Sequence, residues 1–197
     1  MTHIYAQSGK ESEMKPTEVL VTEHNAVLLA LELLNKIENR LAAGSADAPG
    51  DLGQLLDFFR GFVDRCHHGK EEDVLFPELE RRGVPREGGP IGVMLVDHEM
   101  GRRYVREMLE ALARLRGGDG SAAGDIRKSG SGYRDLLRAH IDKENNILYP
   151  MADRLLSESD AAKMIEQFED IERDRVGAGK HEAYHDMLHH LKQVYKV

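Results

Sequence analysis

Apolar residues recur along six stretches of the chain at the three- and four-residue spacing of an amphipathic helix. The four long stretches span residues 16–44, 51–83, 91–117 and 133–156, and the two short ones span residues 160–175 and 180–196. Residues 118–132 are rich in glycine and small residues and are predicted to form a loop, although residues 125–128 could begin a helix. No stretch alternates apolar and polar residues over a useful length, as a half-buried strand would.

This pattern predicts an all-α protein. Four long helices joined by short links are typical of an up-down-up-down four-helix bundle. We expect the bundle to occupy residues 16–156, preceded by an N-terminal arm at residues 1–15. Two further helices, at residues 157–197, are expected to pack on the bundle as a C-terminal extension.

Charge and composition exclude several classes of partner. The 197 residues include 27 Lys and Arg against 35 Asp and Glu, and the net charge of −8 repels a nucleic-acid duplex or an anionic membrane. No apolar run approaches the ~20 residues of a membrane span, and residues 1–15 lack the apolar core of a signal peptide. A single cysteine, Cys66, rules out an internal disulfide and fits a reducing compartment. We therefore expect a cytoplasmic protein.

Ten histidines are the unusual feature of the composition, and several of them belong to a repeat. Two helices carry the same motif, beginning at His67 and at His140, which reads H-x-x-x-E-x-x-x-L-[FY]-P. A further histidine lies on the apolar stripe of the preceding helix, His24 before the first motif and His98 before the second. The chain therefore has the pattern of a duplicated helical hairpin.

Helical geometry indicates which of these side chains face the core. Histidine and glutamate at i and i+4 lie above one another on one helix face, so both can reach one metal ion or two adjacent ones. Apolar neighbours at helical spacing place six candidates inward, whereas His68 and Glu72 fall on the flank of their helix. In a bundle of alternating direction the candidates also lie within about three helical turns of one another. The six are His24, His67, Glu71, His98, His140 and Glu144.

A metal site explains two carboxylates in a predicted core. A lone core histidine is ordinarily a hydrogen-bonded packing residue, but burying Glu71 and Glu144 without partners is strongly unfavourable. Arg102 is the basic residue that the pattern places near their level. Four imidazoles and two carboxylates exceed the needs of one tetrahedral zinc ion and suit two ions of iron or manganese.

The ordered set H, H-x-x-x-E, H, H-x-x-x-E resembles the hemerythrin-like, or HHE cation-binding, family over about residues 16–156. The resemblance implies a four-helix bundle around a non-haem di-iron centre, with two iron ions, an oxo or hydroxo bridge and the six candidates as ligands. The chain differs from the oxygen-carrying hemerythrins at Arg102, where the carriers have another histidine, and in its second H-x-x-x-E motif, where they have histidine with a later aspartate. It is closer to bacterial hemerythrin-like proteins, which implies oxygen, nitric oxide or peroxide chemistry, or iron-sulfur repair.

Three classes of function stay open at this point. The chain could be a di-iron protein that binds small diatomic ligands or peroxide, a di-iron redox enzyme acting on peroxide or nitric oxide, or a metal-stabilised interaction module. Cys66, beside His67, could be a redox thiol, although an isolated buried cysteine is more often inert packing. The oligomeric state is also open.

Other histidines and two tyrosines complete the candidates. His181, His185 and His189 repeat at i+4 and could form a second metal face, although a flank position outside the apolar stripe is the simpler interpretation for the last two. His181, at a helix start, is expected to cover the open end of the metal site and, like Arg102, to tune it. Tyr133 and Tyr149 are expected to be core aromatics with satisfied hydroxyls.

Overall fold

The computed structural model describes residues 14–177 and 179–197, and all regular structure in these residues is helical. The all-α prediction is therefore confirmed. The predicted N-terminal arm falls almost entirely on residues 1–13, which lie outside the described residues. None of the described helices combines the length and the apolar run that a membrane span requires.

Eight α-helices and four π-helical segments make up the described chain. The α-helices are α1 (Pro16–Ala42), α2 (Ala48–Phe58), α3 (Phe76–Arg81), α4 (Pro90–Arg116), α5 (Ala122–Lys143), α6 (Tyr149–Leu155), α7 (Glu158–Ile171) and α8 (Lys180–Tyr195). The π-helical segments are π1 (Phe59–His68), π2 (Glu71–Leu75), π3 (Glu144–Leu148) and π4 (Glu172–Val176). Helix follows helix without a break over residues 48–81 and again over residues 122–155. Together with α1 and α4, these make four long helical runs.

Proline lies in the first turn of three of these runs. Pro16 and Pro90 begin α1 and α4, where the backbone N–H that proline lacks has no partner within the helix. Pro49 lies in the first turn of α2 and is tolerated there for the same reason. The second run therefore begins at Ala48, slightly before the predicted start at Asp51.

The predicted loop at residues 118–132 is wrong, because α5 occupies most of it. Two of its glycines allow close packing instead of a turn. A Cβ atom at Gly130 would lie 1.9 Å from Glu38 Oε1, and one at Gly132 would lie 2.6 Å from the Tyr104 ring. Glycine lets α5 approach its neighbours, and composition alone does not distinguish that role from a turn.

A buried polar layer crosses the four runs between two apolar clusters. Members of the larger cluster include Leu31, Phe59, Leu112 and Tyr133, and members of the smaller one include Leu20, Leu75, Ile91 and Leu148. Adjacent runs contact one another in the order α1, α2, α4, α5 and back to α1. Along the chain α1 and α4 pass from the smaller cluster to the larger, and the other two runs pass the opposite way. Each run therefore crosses the polar layer once.

The C-terminal helices contact the first two runs. α8 contacts α1 and α2, π4 contacts π1, and α7 contacts π2. Tyr184, Leu188 and Leu191 belong to the larger cluster, whereas Met164 and Phe168 belong to the smaller one. The C-terminal helices thus add apolar side chains on both sides of the polar layer.

We expect Gly130→Ala to lower the free energy of unfolding by about 1–3 kcal/mol. The new methyl group would displace Glu38 from its ion pair with Arg134, whose N···O distance is 2.5 Å. Gly124→Ala is the matched control in the same helix, since nothing lies within 4 Å of the added Cβ. Alanine should there raise stability by up to about 1 kcal/mol. Chemical denaturation measures both variants, and equal effects would contradict the packing role of Gly130.

Candidate metal centre

The buried polar layer brings all six sequence-predicted residues together. α1, α4 and α5 each contribute one histidine, and the π-helical segments contribute the other three residues. None of the six has more than 2% of its surface exposed, and they are His24, His67, Glu71, His98, His140 and Glu144.

The π-helical segments change which side chains face the core. A π-helix closes its hydrogen bonds from i to i+5 and therefore has a wider turn than an α-helix. In π1 both His67 and His68 are buried, with exposed fractions of 2% and 4%. The prediction that His68 lies on the flank is wrong, because it applied the 3.6-residue period to this wider turn. Segments of this kind occur frequently at functional sites.

The four predicted histidines form two pairs through their Nε2 atoms. His24 Nε2 lies 3.0 Å from His67 Nε2, and His98 Nε2 lies 3.1 Å from His140 Nε2. Within each pair the two nitrogens are directed at a shared region of the core. Such convergence is suited to binding a metal ion through neutral imidazoles.

Each glutamate reaches both histidine pairs. Glu144 places Oε2 3.2 Å from His24 Nε2 and Oε1 3.1 Å from His140 Nε2. Glu71 places Oε2 3.8 Å from His67 Nε2 and 3.4 Å from His98 Nε2. Both carboxylates therefore lie between the pairs, in a position from which they can link two cations.

The unsatisfied polar atoms of the layer fit a metal centre. Oε2 of Glu71 and both oxygens of Glu144 are buried without a hydrogen-bond partner among the described residues. Buried carboxylates need a compensating charge, which a metal cation provides. Two groups of potential ligand atoms, each within 4.8 Å of one another, consist of His24, His67 and Glu144, and of His68, Glu71, His98 and His140. The donor set is therefore that of a metal site with nitrogen and oxygen ligands.

A surrounding set of oxygen atoms fixes each histidine ring through Nδ1. The contacts are His24 to Asn145 Oδ1 at 2.8 Å, His67 to Glu23 Oε2 at 2.8 Å, His98 to Glu72 Oε1 at 2.6 Å and His140 to Asp97 Oδ2 at 3.3 Å. When Nδ1–H donates to oxygen, Nε2 is left unprotonated and free to bind a metal. The contacts thus orient the rings and select the tautomer that the layer requires.

Three basic side chains hold the carboxylates of this set. Lys70 contacts Glu23, Lys143 contacts Asp97, and Arg102 donates from Nη2 to Glu72 Oε1 at 2.6 Å. Lys70 has only 1% of its surface exposed, and the hydrophobic pattern does not predict it in the core. Burial opposes ionisation of Glu23, but the Lys70 charge and the His67 hydrogen bond outweigh it and lower the pKa of Glu23 to about 2.

The sequence contains a signal for these partners that a search limited to H-x-x-x-E misses. In each half of the repeat an acidic residue immediately precedes the first histidine, and a lysine follows the second histidine by three positions. The residue after the glutamate differs between the halves, Glu72 in one and Asn145 in the other. Glu72 lies at the edge of the layer, with 24% of its side chain exposed, and still contacts a buried histidine.

Tyr149 makes the two halves of the centre unequal. Its buried hydroxyl donates to Glu71 Oε1 at 2.7 Å, and its ring stacks on His24 at a centroid distance of 5.6 Å. The equivalent residue of the first motif is Phe76, which has no hydroxyl to offer Glu144. Burial and the nearby carboxylates raise the pKa of Tyr149 well above its usual value, so the hydroxyl remains a donor.

Three further candidates lie outside the ligand set. His181 contacts Glu172, which lies 3.4 Å from Lys70, so His181 reaches the centre through other side chains. His185 Nε2 lies 2.9 Å from His181 Nε2, but among residues 14–177 and 179–197 no third ligand atom completes a metal group with this pair. Burial raises the pKa of Cys66 to about 12, which keeps the thiol protonated and unreactive.

Residues 15–152 match the hemerythrin HHE cation-binding domain. The chain belongs to the hemerythrin family. The matched residues include all six sequence-predicted residues, and the resemblance inferred from the two motifs is confirmed.

Three relatives show how far the sequence similarity of this chain to known proteins extends. An uncharacterized protein of Mycobacterium tuberculosis is 24% identical over 168 residues, which cover 85% of this chain and 65% of that protein. The iron-sulfur cluster repair protein YtfE of Edwardsiella ictaluri is 31% identical over 135 residues, 66% of this chain and 59% of YtfE. The iron-sulfur cluster repair protein DnrN of Neisseria gonorrhoeae is 30% identical over 135 residues, 66% of this chain and 85% of DnrN. The chain therefore spans less than two thirds of the first two relatives.

We expect Glu71→Ala and Glu144→Ala each to cause a large loss of bound metal, because each removes a carboxylate that reaches both histidine pairs. Glu72→Ala should retain the ligands but weaken metal affinity by about 10–100-fold, since one histidine loses the oxygen that orients it. Glu99→Ala is the control, because 74% of the Glu99 side chain is exposed. Metal analysis and chelator competition measure these effects. Equal losses for Glu71 and Glu72 would contradict the proposed ligand set.

Tyr149→Phe should retain the metal content but make the two metal positions more alike, because it removes the hydrogen bond that distinguishes Glu71 from Glu144. Titration with Co(II), followed by its optical bands, should show two unequal affinities in the parent protein. Their ratio should change by about tenfold in the variant, as expected for a hydrogen bond to a charged group. Tyr133→Phe, which alters a hydroxyl outside the layer, should leave the ratio unchanged. An unchanged ratio in Tyr149→Phe would show that this hydroxyl does not differentiate the positions.

Proposed function

We propose that this hemerythrin-like chain is an up-down-up-down four-helix bundle that holds two iron ions and binds or reacts with oxygen, nitric oxide or peroxide. The observation that carries the proposal is the position of Glu71 and Glu144, each of which reaches both histidine pairs. From there the carboxylates would link two ions, and one histidine pair would hold each ion.

The kind of donor in the layer supports iron. Imidazole and carboxylate ligands suit non-haem iron, whereas many structural zinc and blue-copper sites use thiolates. The buried thiol of Cys66 is outside both groups of ligand atoms in the layer. Four histidines and two linking carboxylates would also leave coordination positions free on two six-coordinate ions, which a protein that acts on small molecules needs.

When bound, such ions supply redox chemistry and open positions for a small ligand. The chain's own residues prepare the site for this role. The Nδ1 contacts hold the four rings in place, and the two apolar clusters limit the access of water from either side. The Tyr149 hydroxyl oxygen lies 2.7 Å from Glu71 Oε1, and its proton is donated to that carboxylate. A site fixed in this way can change oxidation state with little rearrangement of its ligands.

Iron-sulfur repair is the second candidate function, supported by the names of two relatives. YtfE and DnrN are both iron-sulfur cluster repair proteins, and they are 31% and 30% identical to this chain over the aligned residues. The chain would then be a redox enzyme that uses the same centre to detoxify peroxide or nitric oxide or to repair iron-sulfur clusters. A metal-stabilised interaction module is the remaining alternative, and it requires no reaction with any of these ligands.

We propose a cytoplasmic setting with small molecules as partners, and neither nucleic acid nor membrane. The net charge of −8 disfavours polyanionic partners. The one cysteine, buried as a free thiol, fits a reducing compartment.

Anaerobic reconstitution with ferrous iron is expected to load two ions per chain. Stopped-flow mixing of the loaded protein with oxygen, nitric oxide or peroxide should then change its optical spectrum, with oxidation as the outcome of mixing with oxygen. The matched control is the Glu71→Ala/Glu144→Ala double variant, which should neither load nor react. Repair is measured separately, as the reactivation of a nitric-oxide-damaged [4Fe–4S] enzyme by the loaded protein.

Each result separates the alternatives. One ion or none per folded chain would contradict the di-iron proposal. Unchanged spectra with all three ligands would reject redox function and favour the interaction module, and a stable, fully reversible oxygen complex would favour an oxygen carrier.

A further inference from the structure

A cavity of about 310 Å³ lies beside the metal centre, between π1 and α4. This volume is at the lower end of the range of roughly 300–1,000 Å³ found for small-molecule sites. Its walls are largely apolar and include Phe59, Val105, Leu109 and Tyr133. The Phe59 and Tyr133 rings meet edge to face at a centroid distance of 4.8 Å. The cavity therefore suits a small ligand with a flat apolar body.

His68 lines this cavity and carries an unsatisfied polar atom. The residue has only 4% of its surface exposed, and its buried Nδ1 has no hydrogen-bond partner among the described residues. Asp64 Oδ1 is 3.7 Å away, too far for a hydrogen bond. A buried polar atom without a partner is unfavourable, so a ligand group that hydrogen-bonds to His68 would remove that penalty.

Charges at the cavity favour an anion, in contrast to the net charge of the whole chain. Three arginines line it, Arg60, Arg102 and Arg106, against one carboxylate, Asp64. Arg102 is already paired with three carboxylates, including Asp64. Arg60 and Arg106 are exposed, and within the described part of the chain no carboxylate forms an ion pair with either. Two guanidinium groups are thus available to a ligand's carboxylate.

The cavity is directly connected to the metal centre through stacked rings. The His68 ring lies on the ring of His98 at a centroid distance of 3.8 Å and an interplanar angle of 14°. A molecule in contact with His68 is therefore separated from a predicted metal ligand by a single imidazole. Its binding can be detected at the metal centre without direct coordination.

We propose that this cavity binds a small organic carboxylate whose flat apolar body carries a hydrogen-bonding group at its far end. Arg60 and Arg106 bind the carboxylate at the entrance, the apolar walls enclose the body, and His68 Nδ1 hydrogen-bonds to the polar group at the inner end. The site is distinct from the six predicted metal ligands, and the proposal does not rest on the identity of the metal or on its reaction.

Isothermal titration of the full chain with benzoate tests the proposal, with benzamide as a neutral probe of nearly the same shape. Benzoate should bind with one-to-one stoichiometry, in the metal-loaded and the metal-free protein alike, and benzamide should bind at least about tenfold more weakly. 4-Hydroxybenzoate, whose hydroxyl can hydrogen-bond to His68 Nδ1, should bind several-fold more tightly than benzoate and, in the cobalt-loaded protein, should shift the optical bands through that contact. An affinity no higher than that of benzoate would contradict the His68 contact. Binding of benzoate only in the loaded protein would show coordination to the metal and overturn the proposal.

Substitutions locate the site. Arg60→Gln/Arg106→Gln should weaken benzoate binding by about tenfold or more, since charge-assisted hydrogen bonds are lost. Arg127→Gln/Arg138→Gln removes the same net charge from exposed positions outside the cavity and should leave binding unchanged. Val105→Phe should abolish binding by filling the cavity, with thermal unfolding as a check that the variant is folded. Equal affinity for benzamide and benzoate, or equal losses in the two arginine double variants, would reject the proposal.

Discussion

Burial of two negative charges is the constraint on which the rest of this structure depends. Glu71 and Glu144 have no exposed surface, and three of their four oxygens have no hydrogen-bond partner among the described residues. A bundle core tolerates such groups only when positive charge lies close to them. The converging Nε2 atoms of the histidines form a site that can bind a cation beside the two carboxylates. The apolar clusters on both sides exclude water that would otherwise solvate the carboxylates. The metal centre therefore follows from the core's own electrostatic balance as well as from the motifs.

The same constraint extends outward through successive contacts. The histidines need oxygen partners at Nδ1, those carboxylates need cations, and the result is a buried Lys70 paired with Glu23 deep in an otherwise apolar bundle. Glu172 of π4 also approaches Lys70, at 3.4 Å, which ties the C-terminal helices to the centre. The C-terminal helices thus cover a series of polar contacts that runs from Glu172 through Lys70 and Glu23 to His67.

The all-α class and the convergence of the six candidate residues in the core could be predicted from the sequence because both depend on periodicity and repetition. Apolar spacing identified the long helices, and the doubled motif identified the family. Three features escaped prediction for physical reasons. The glycines of α5 permit close helix contact, which composition cannot separate from flexibility. His68 faces the core because π1 has a wider turn than the assumed period. Lys70 is buried because it pairs with Glu23 on another helix. The hydrophobic pattern of a single helix does not show this pairing, and it becomes visible only when the two halves of the repeat are compared.

Two of the four Nδ1 contacts cross between the halves of the repeat, and this has a consequence for symmetry. His24 of the first half depends on Asn145 of the second, and His98 of the second depends on Glu72 of the first. A protein made of a single hairpin could supply this Nδ1 partner only from a second copy of itself, related by a twofold axis. Every substitution in such a homodimer would appear twice, on both sides of the axis. Joining the halves in one chain removes that restriction. Equivalent positions can then differ, as Glu72 differs from Asn145 and Phe76 from Tyr149.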